Sequence, residues 1–92
     1  MPTIHIPTPL RAYTDSKASV EVEATTAGGA LDALTAAYPG LAKHLRDDAG
    51  KLRSFVNVYL GDEDIRFLEQ DATPVAAGDE LTIVPSIAGG AL

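Results

Sequence analysis

The sequence predicts an α+β domain in which one main helix covers one face of a mixed sheet of four to five strands. Three observations carry this. Two short N-terminal runs, one mid-chain run and one late run have the residue pattern of β-strands. Between the second and third runs the apolar period lengthens from two residues to a helical spacing. The resulting order is strand, strand, helix, strand, a weak element, strand, which places a single helix against a sheet.

Thr3-Ile4-His5-Ile6 alternates polar and apolar residues, and Pro7 and Pro9 interrupt it, so this strand is short or runs at an edge near its end. Ser19-Val20-Glu21-Val22-Glu23 alternates again, with both valines on one face and both glutamates on the other. Thr14 to Lys17 forms a polar turn or loop between them, and the pair reads as an N-terminal β-hairpin. Ala27, Leu31, Leu34 and Tyr38 then recur at helical spacing, and Ala30, Ala33, Ala36 and Ala37 add strong helix formers. Thr25 or Thr26 is placed to cap the start, and Pro39-Gly40 ends the helix. Leu41 to Arg46 suits a further short turn of helix, and Asp47 to Gly50 a loop.

Phe55-Val56-Asn57-Val58-Tyr59-Leu60 is the clearest strand, with Val56, Val58 and Leu60 on one face. Gly61-Asp62 turns the chain, and Ile65 to Leu68 suits either a short strand or a bridge. Ala76 to Glu80 carries turn chemistry, with Gly78 able to supply a positive φ, and Leu81 to Pro85 is the last strand. Val56, Val58, Leu60, Leu81 and Ile83 are expected to meet Leu31, Leu34 and Tyr38 in the core. The β-grasp arrangement is the simplest closed solution with this order.

The 92 residues suffice for one domain, expected over residues 1–85, and 46% of them are hydrophobic, as in globular chains. With no cysteine, disulfides, thiolate metal sites, iron–sulfur clusters and a cysteine nucleophile are all excluded. A net charge of −6 argues against binding nucleic acid and suits solubility or steering toward a basic partner. No apolar stretch approaches the ~20 residues of a membrane span. The N-terminus lacks the pattern of a signal peptide, so a cytoplasmic location is expected.

His5 and His44 have no partner at a metal-ligand spacing, and no metal site is expected. Asp62-Glu63-Asp64 lacks the series of oxygen ligands of a calcium loop and reads as a solvated turn, with partner recognition second. Arg11, Lys51, Arg53 and Arg66 are too scattered along the sequence to read as a patch. Phe55, Asn57 and Tyr59 face away from the helix and, with Val84, form a docking face for a partner unless Leu68 or Val75 covers it.

After Pro85 the pattern stops. Ser86-Ile87-Ala88-Gly89-Gly90-Ala91-Leu92 carries no charge and no period, and residues 86–92 are expected to be a flexible tail unless something binds them.

Ile6-Pro7-Thr8 with Leu10-Arg11, Phe55 to Tyr59, Asp62 to Phe67, Gly78-Asp79 and Thr82 to Pro85 leading into Ala88-Gly89-Gly90 together carry a resemblance. Across nearly its whole length the chain resembles the MoaD/ThiS family of ubiquitin-like sulfur carriers, most of all its branch serving cysteine biosynthesis. The resemblance implies a ubiquitin-like β-grasp fold and a carrier that is a protein cosubstrate rather than an enzyme, with no catalytic residue and no bound cofactor of its own. An E1-like enzyme would use ATP to adenylate the Gly90 carboxylate, and a sulfur donor would convert it to a thiocarboxylate. Ala88, Gly89 and Gly90 would enter the partner's site. The sulfur would pass to a pyridoxal-phosphate enzyme of cysteine-synthase type, or to thiamine or another metabolite.

One departure bears on this chemistry: Ala91-Leu92 comes after Gly90, and a peptide bond cannot be adenylated as a carboxylate can. The resemblance implies trimming between Gly90 and Ala91 by a JAMM-type metalloprotease. Three other functions compete with the carrier. They are the small subunit of a molybdopterin synthase, against which the extension argues, a ubiquitin-like modifier joined through Gly90, and a binding module with an inconsequential tail.

Overall fold

The computed structural model describes residues 1–54 and 56–85. Its strands are β1 (Thr3–His5), β2 (Ser19–Glu21), β3 (Val56–Leu60), β4 (Glu63–Asp64) and β5 (Glu80–Pro85), and its α-helices are α1 (Ala27–Ala37) and α2 (Ala42–Leu45). The strands form one sheet in the order β2-β1-β5-β3-β4. β1 and β5 run parallel and the other neighbours antiparallel, so the sheet is mixed and the first and last strands lie side by side. This is the expected β-grasp.

The N-terminal hairpin pairs Ile4 with Val20, as the alternation requires. Its connection holds an element that the sequence reading missed, a 3-10 helical segment over Thr8–Tyr13. Pro9 falls at its start, where a missing N–H removes no internal bond, and Leu10 turns into the core.

Of the two candidate caps for α1, Thr26 is the one used: its Oγ1 accepts from Gly29 N–H at 3.0 Å. Such a cap contributes about 1 kcal/mol. The start of the helix is tied to the segment before β5, with Ala27 N–H donating to Thr73 O and Val75 N–H to Thr25 O. Arg46 adds a clasp, donating from Nη1 to Asp71 Oδ2 at 3.1 Å and to Gly50 O at 2.9 Å.

Gly28 permits this close approach. A Cβ built there would lie 2.8 Å from Asp71 Cβ and 3.0 Å from Asp71 O. In an open helix Gly→Ala would add about 1 kcal/mol of stability. Here overpacking of about 1–3 kcal/mol outweighs that gain. Gly28→Ala is therefore expected to lower the melting temperature by about 5 °C, read by thermal unfolding.

The core lies between the sheet and α1, where Ile4, Leu31, Leu34, Val58, Leu81 and Ile83 are each at most 1% exposed. Val56 joins them, while Leu60 and Tyr38 pack against the core only partly buried. The stretch Ile65 to Leu68 is a correction: it is neither strand nor bridge. Ile65–Phe67 is a 3-10 turn, and the short strand β4 falls on the two acidic residues before it. Asp64 decides this, because its Oδ1 accepts from Arg66 N–H at 2.9 Å and starts a turn that buries Ile65. Gly78 takes φ +90° in the turn before β5, as its position suggests.

Candidate functional site

Ala88, Gly89, Gly90 and Ala91, on which the sequence reading places the chemistry, lie outside the described residues, as does Phe55. The structure places the root from which they continue. β5 runs through the middle of the sheet, and its last residue, Pro85, pairs with Val56 at the start of β3. Its ladder with β1 ends at the His5–Thr82 pair, and Pro7, two residues on, has no N–H to carry it further. A cavity of about 290 Å³ opens beside the end of β5, with Ile6, Pro7, Val84 and Pro85 in its wall and Arg11 at its side.

Asn57, Tyr59 and Val84 come together on the sheet face opposite α1. Asn57 pairs directly with Val84, and Tyr59 with Thr82. Val84 is 39% exposed, and Asn57 and Tyr59 are half-buried. Of the two candidate covers, Val75 is buried in the core with α1, and Leu68 is itself 37% exposed. Asn57 is already engaged: its Oδ1 accepts from Arg66 Nη1 at 3.1 Å, and Arg66 Nη2 donates to Arg53 O at 2.8 Å.

Phe67 is a surface feature that the sequence reading did not single out. It is 86% exposed, the largest exposure among the large apolar side chains described. With Asn57, Tyr59, Asp62 and Glu63 it lines an open depression of about 670 Å³. The signal for it was its place after an acidic turn in a stretch without period.

His5 lies in β1 beside β5, with Nε2 donating to Glu80 Oε1, and His44 packs its ring on Tyr13 at a centroid distance of 4.5 Å. Among the described residues no group of three or more His, Cys, Asp or Glu is placed to hold a metal ion. Nor is any helix among them long and apolar enough to cross a membrane.

The ThiS family model matches residues 4–90. The chain is 44% identical over 90 residues to a protein of Mycobacterium tuberculosis named sulfur carrier protein CysO, covering 96% of this chain and 97% of that one. It is 40% identical over 65 residues to small archaeal modifier protein 1 of Haloferax volcanii, covering 71% and 70%. In solved structures it superposes on a chain of the Amycolatopsis orientalis BexX/CysO complex with a TM-score of 0.89 at 39% identity, over 98% of this chain and 100% of that one.

Proposed function

This chain belongs to the ThiS family of ubiquitin-like proteins, and from that membership we propose that it is a sulfur carrier whose reacting group is the carboxylate of Gly90. The observation that carries the reading is the 44% identity to a sulfur carrier along almost the whole of both chains, with the family match running through Gly90. The fold supports it. The central strand β5 delivers Pro85 to one end of the sheet, and Ser86 to Gly90 span at most about 18 Å when extended. That reach suffices to carry an acyl group into a partner's site while the domain stays outside.

The chemistry starts with removal of Ala91-Leu92 by a JAMM-type metalloprotease cutting after Gly90. An E1-like adenylyltransferase then lets the freed carboxylate oxygen attack the α-phosphorus of ATP, releasing pyrophosphate and leaving an acyl-adenylate. Sulfide, or a persulfide with a reductant, attacks the carbonyl carbon. AMP leaves, and a thiocarboxylate remains. The sulfur passes to a cysteine-synthase-like enzyme holding pyridoxal phosphate. No thiol on the carrier is required, which agrees with its lack of cysteine.

Partner docking falls to the open sheet face, where Val84 stands opposite Asn57, and Asn57 and Tyr59 line the depression that holds Phe67. Phe67→Ala is expected to weaken binding of the activating enzyme about tenfold, as loss of an aromatic anchor does. The same change should alter stability by less than about 0.5 kcal/mol, because the side chain is already in solvent. Calorimetric titration and thermal unfolding of the one variant read both outcomes.

Intact-mass spectra test the carrier reading. The chain truncated after Gly90, incubated with ATP, sulfide and its host's activating enzyme, should gain about 16 Da as sulfur replaces oxygen, and the full chain should not. No gain in either, with an enzyme that thiolates its other carriers, would remove the proposal. A second use as a protein modifier is favoured by the likeness to small archaeal modifier protein 1. It predicts higher-mass conjugates that disappear when Gly90 is deleted.

A further inference from the structure

Building on the carrier reading, we propose that Arg11 and Arg53 are carboxylate receptors on either side of the tail's root, seating the chain tail-first on partner enzymes whose channel mouth has an acidic rim. Arg11 lines the cavity beside Pro85, and its Nε donates to Ile6 O at 3.1 Å. Arg53 stands on the other side. Its carbonyl accepts from Val56 N–H at 3.0 Å, Val56 pairs with Pro85, and Arg53 Nε donates to Lys43 O at 2.7 Å.

The two arginines are held in the same way. Each is fixed to a backbone carbonyl through Nε, and each is half-buried. Among the described residues neither Nη pair makes a hydrogen bond, and neither side chain lies within 4.0 Å of a carboxylate. A guanidinium so held keeps an edge of two N–H donors that matches the two oxygens of a carboxylate. Because the stem is already fixed, less side-chain entropy is lost on binding.

The opposite end of the sheet carries the reverse charge. Glu21 and Glu80 lie either side of Thr3 in register, Gly61 N–H donates to Glu80 O, and Asp62 and Glu63 come next in the chain; all four carboxylates belong to exposed residues. The chain is thus polar along its strands although its net charge is −6. An acidic rim repels the end that carries Glu21, Glu80, Asp62 and Glu63 and attracts the end that carries Arg11 and Arg53, so encounter is oriented with the tail toward the channel. A basic partner would attract the wrong end.

The test measures association of the chain with its host's activating enzyme by surface plasmon resonance at low and high salt, beside the mass assay. Arg11→Glu combined with Arg53→Glu should lower the association rate about tenfold at low salt. The difference should shrink at high salt as screening grows. Arg11→Lys with Arg53→Lys should lose less, keeping the charge without the fork. Glu21→Lys with Glu80→Lys should leave the rate unchanged or raise it, and melting temperatures check that each variant is folded. An unchanged or faster rate for the double glutamate variant, an equal loss from the far-end reversal, or no association of the unaltered chain would overturn the inference. A chain that associates with this dependence but gains no sulfur keeps the arginine seat and removes the carrier reading, so the two fail separately.

Discussion

Gly90→Val, in the chain truncated after position 90, is expected to slow thiocarboxylate formation about a hundredfold. The proposed sulfur attack occurs at the carbonyl carbon of this residue, next to its Cα. Glycine places only hydrogens there, whereas valine puts two methyl groups within reach of the incoming sulfur and narrows the backbone angles available in a channel. The substituent crowds the reacting atom itself, so the loss should fall mainly on kcat. Gly89→Leu should act differently, hindering entry into the channel and raising KM. The rate of the mass gain at saturating ATP and sulfide reads both. A valine variant thiolated at the original rate would show that attack at residue 90 does not require glycine.

Leu34→Ala carries the largest expected effect on stability. Leu34 is fully buried in the core that joins α1 to Val58, Leu81 and Ile83. Truncation loses the transfer energy of three carbons and leaves a cavity that a fixed helix and sheet cannot close, about 3 kcal/mol together. For a domain of this size that corresponds to roughly 15 °C in melting temperature. Thermal unfolding monitored by circular dichroism measures it. A shift of only a few degrees would mean that the helix settles onto the sheet after the change, against the close packing at Gly28 and Asp71.

Most elements were legible because their signals are local. β3 and β5 come from alternation, and α1 from the spacing of Ala27, Leu31 and Leu34 between a threonine cap and a proline stop. The 3-10 segment Thr8–Tyr13 was illegible, since a short helix around prolines has no period to detect. At Ile65–Phe67 the pattern allowed a strand, and one hydrogen bond that the Asp64 side chain accepts from Arg66 N–H made a turn instead. Phe67 was lost with it: read as part of a strand it has a buried or exposed side by alternation, whereas the turn leaves it in solvent.

The sequence alone determined the kind of domain, its core and the Gly89-Gly90 segment on which the carrier reading rests, because those depend on residue type and near-neighbour spacing. Only the tertiary structure decided that β1 and β5 lie side by side, that Val84 stands in register opposite Asn57, and that Arg11 and Arg53 flank Pro85. Those placements depend on which strands pair. Arg11 and Arg53 lie far apart in sequence, and β5 reaches both ends of the chain's pairing, to β1 at the start and to β3 in the middle. Strand pairing is a choice among long-range contacts whose hydrogen bonds are chemically alike, so packing of the whole core selects it and no local pattern records the choice.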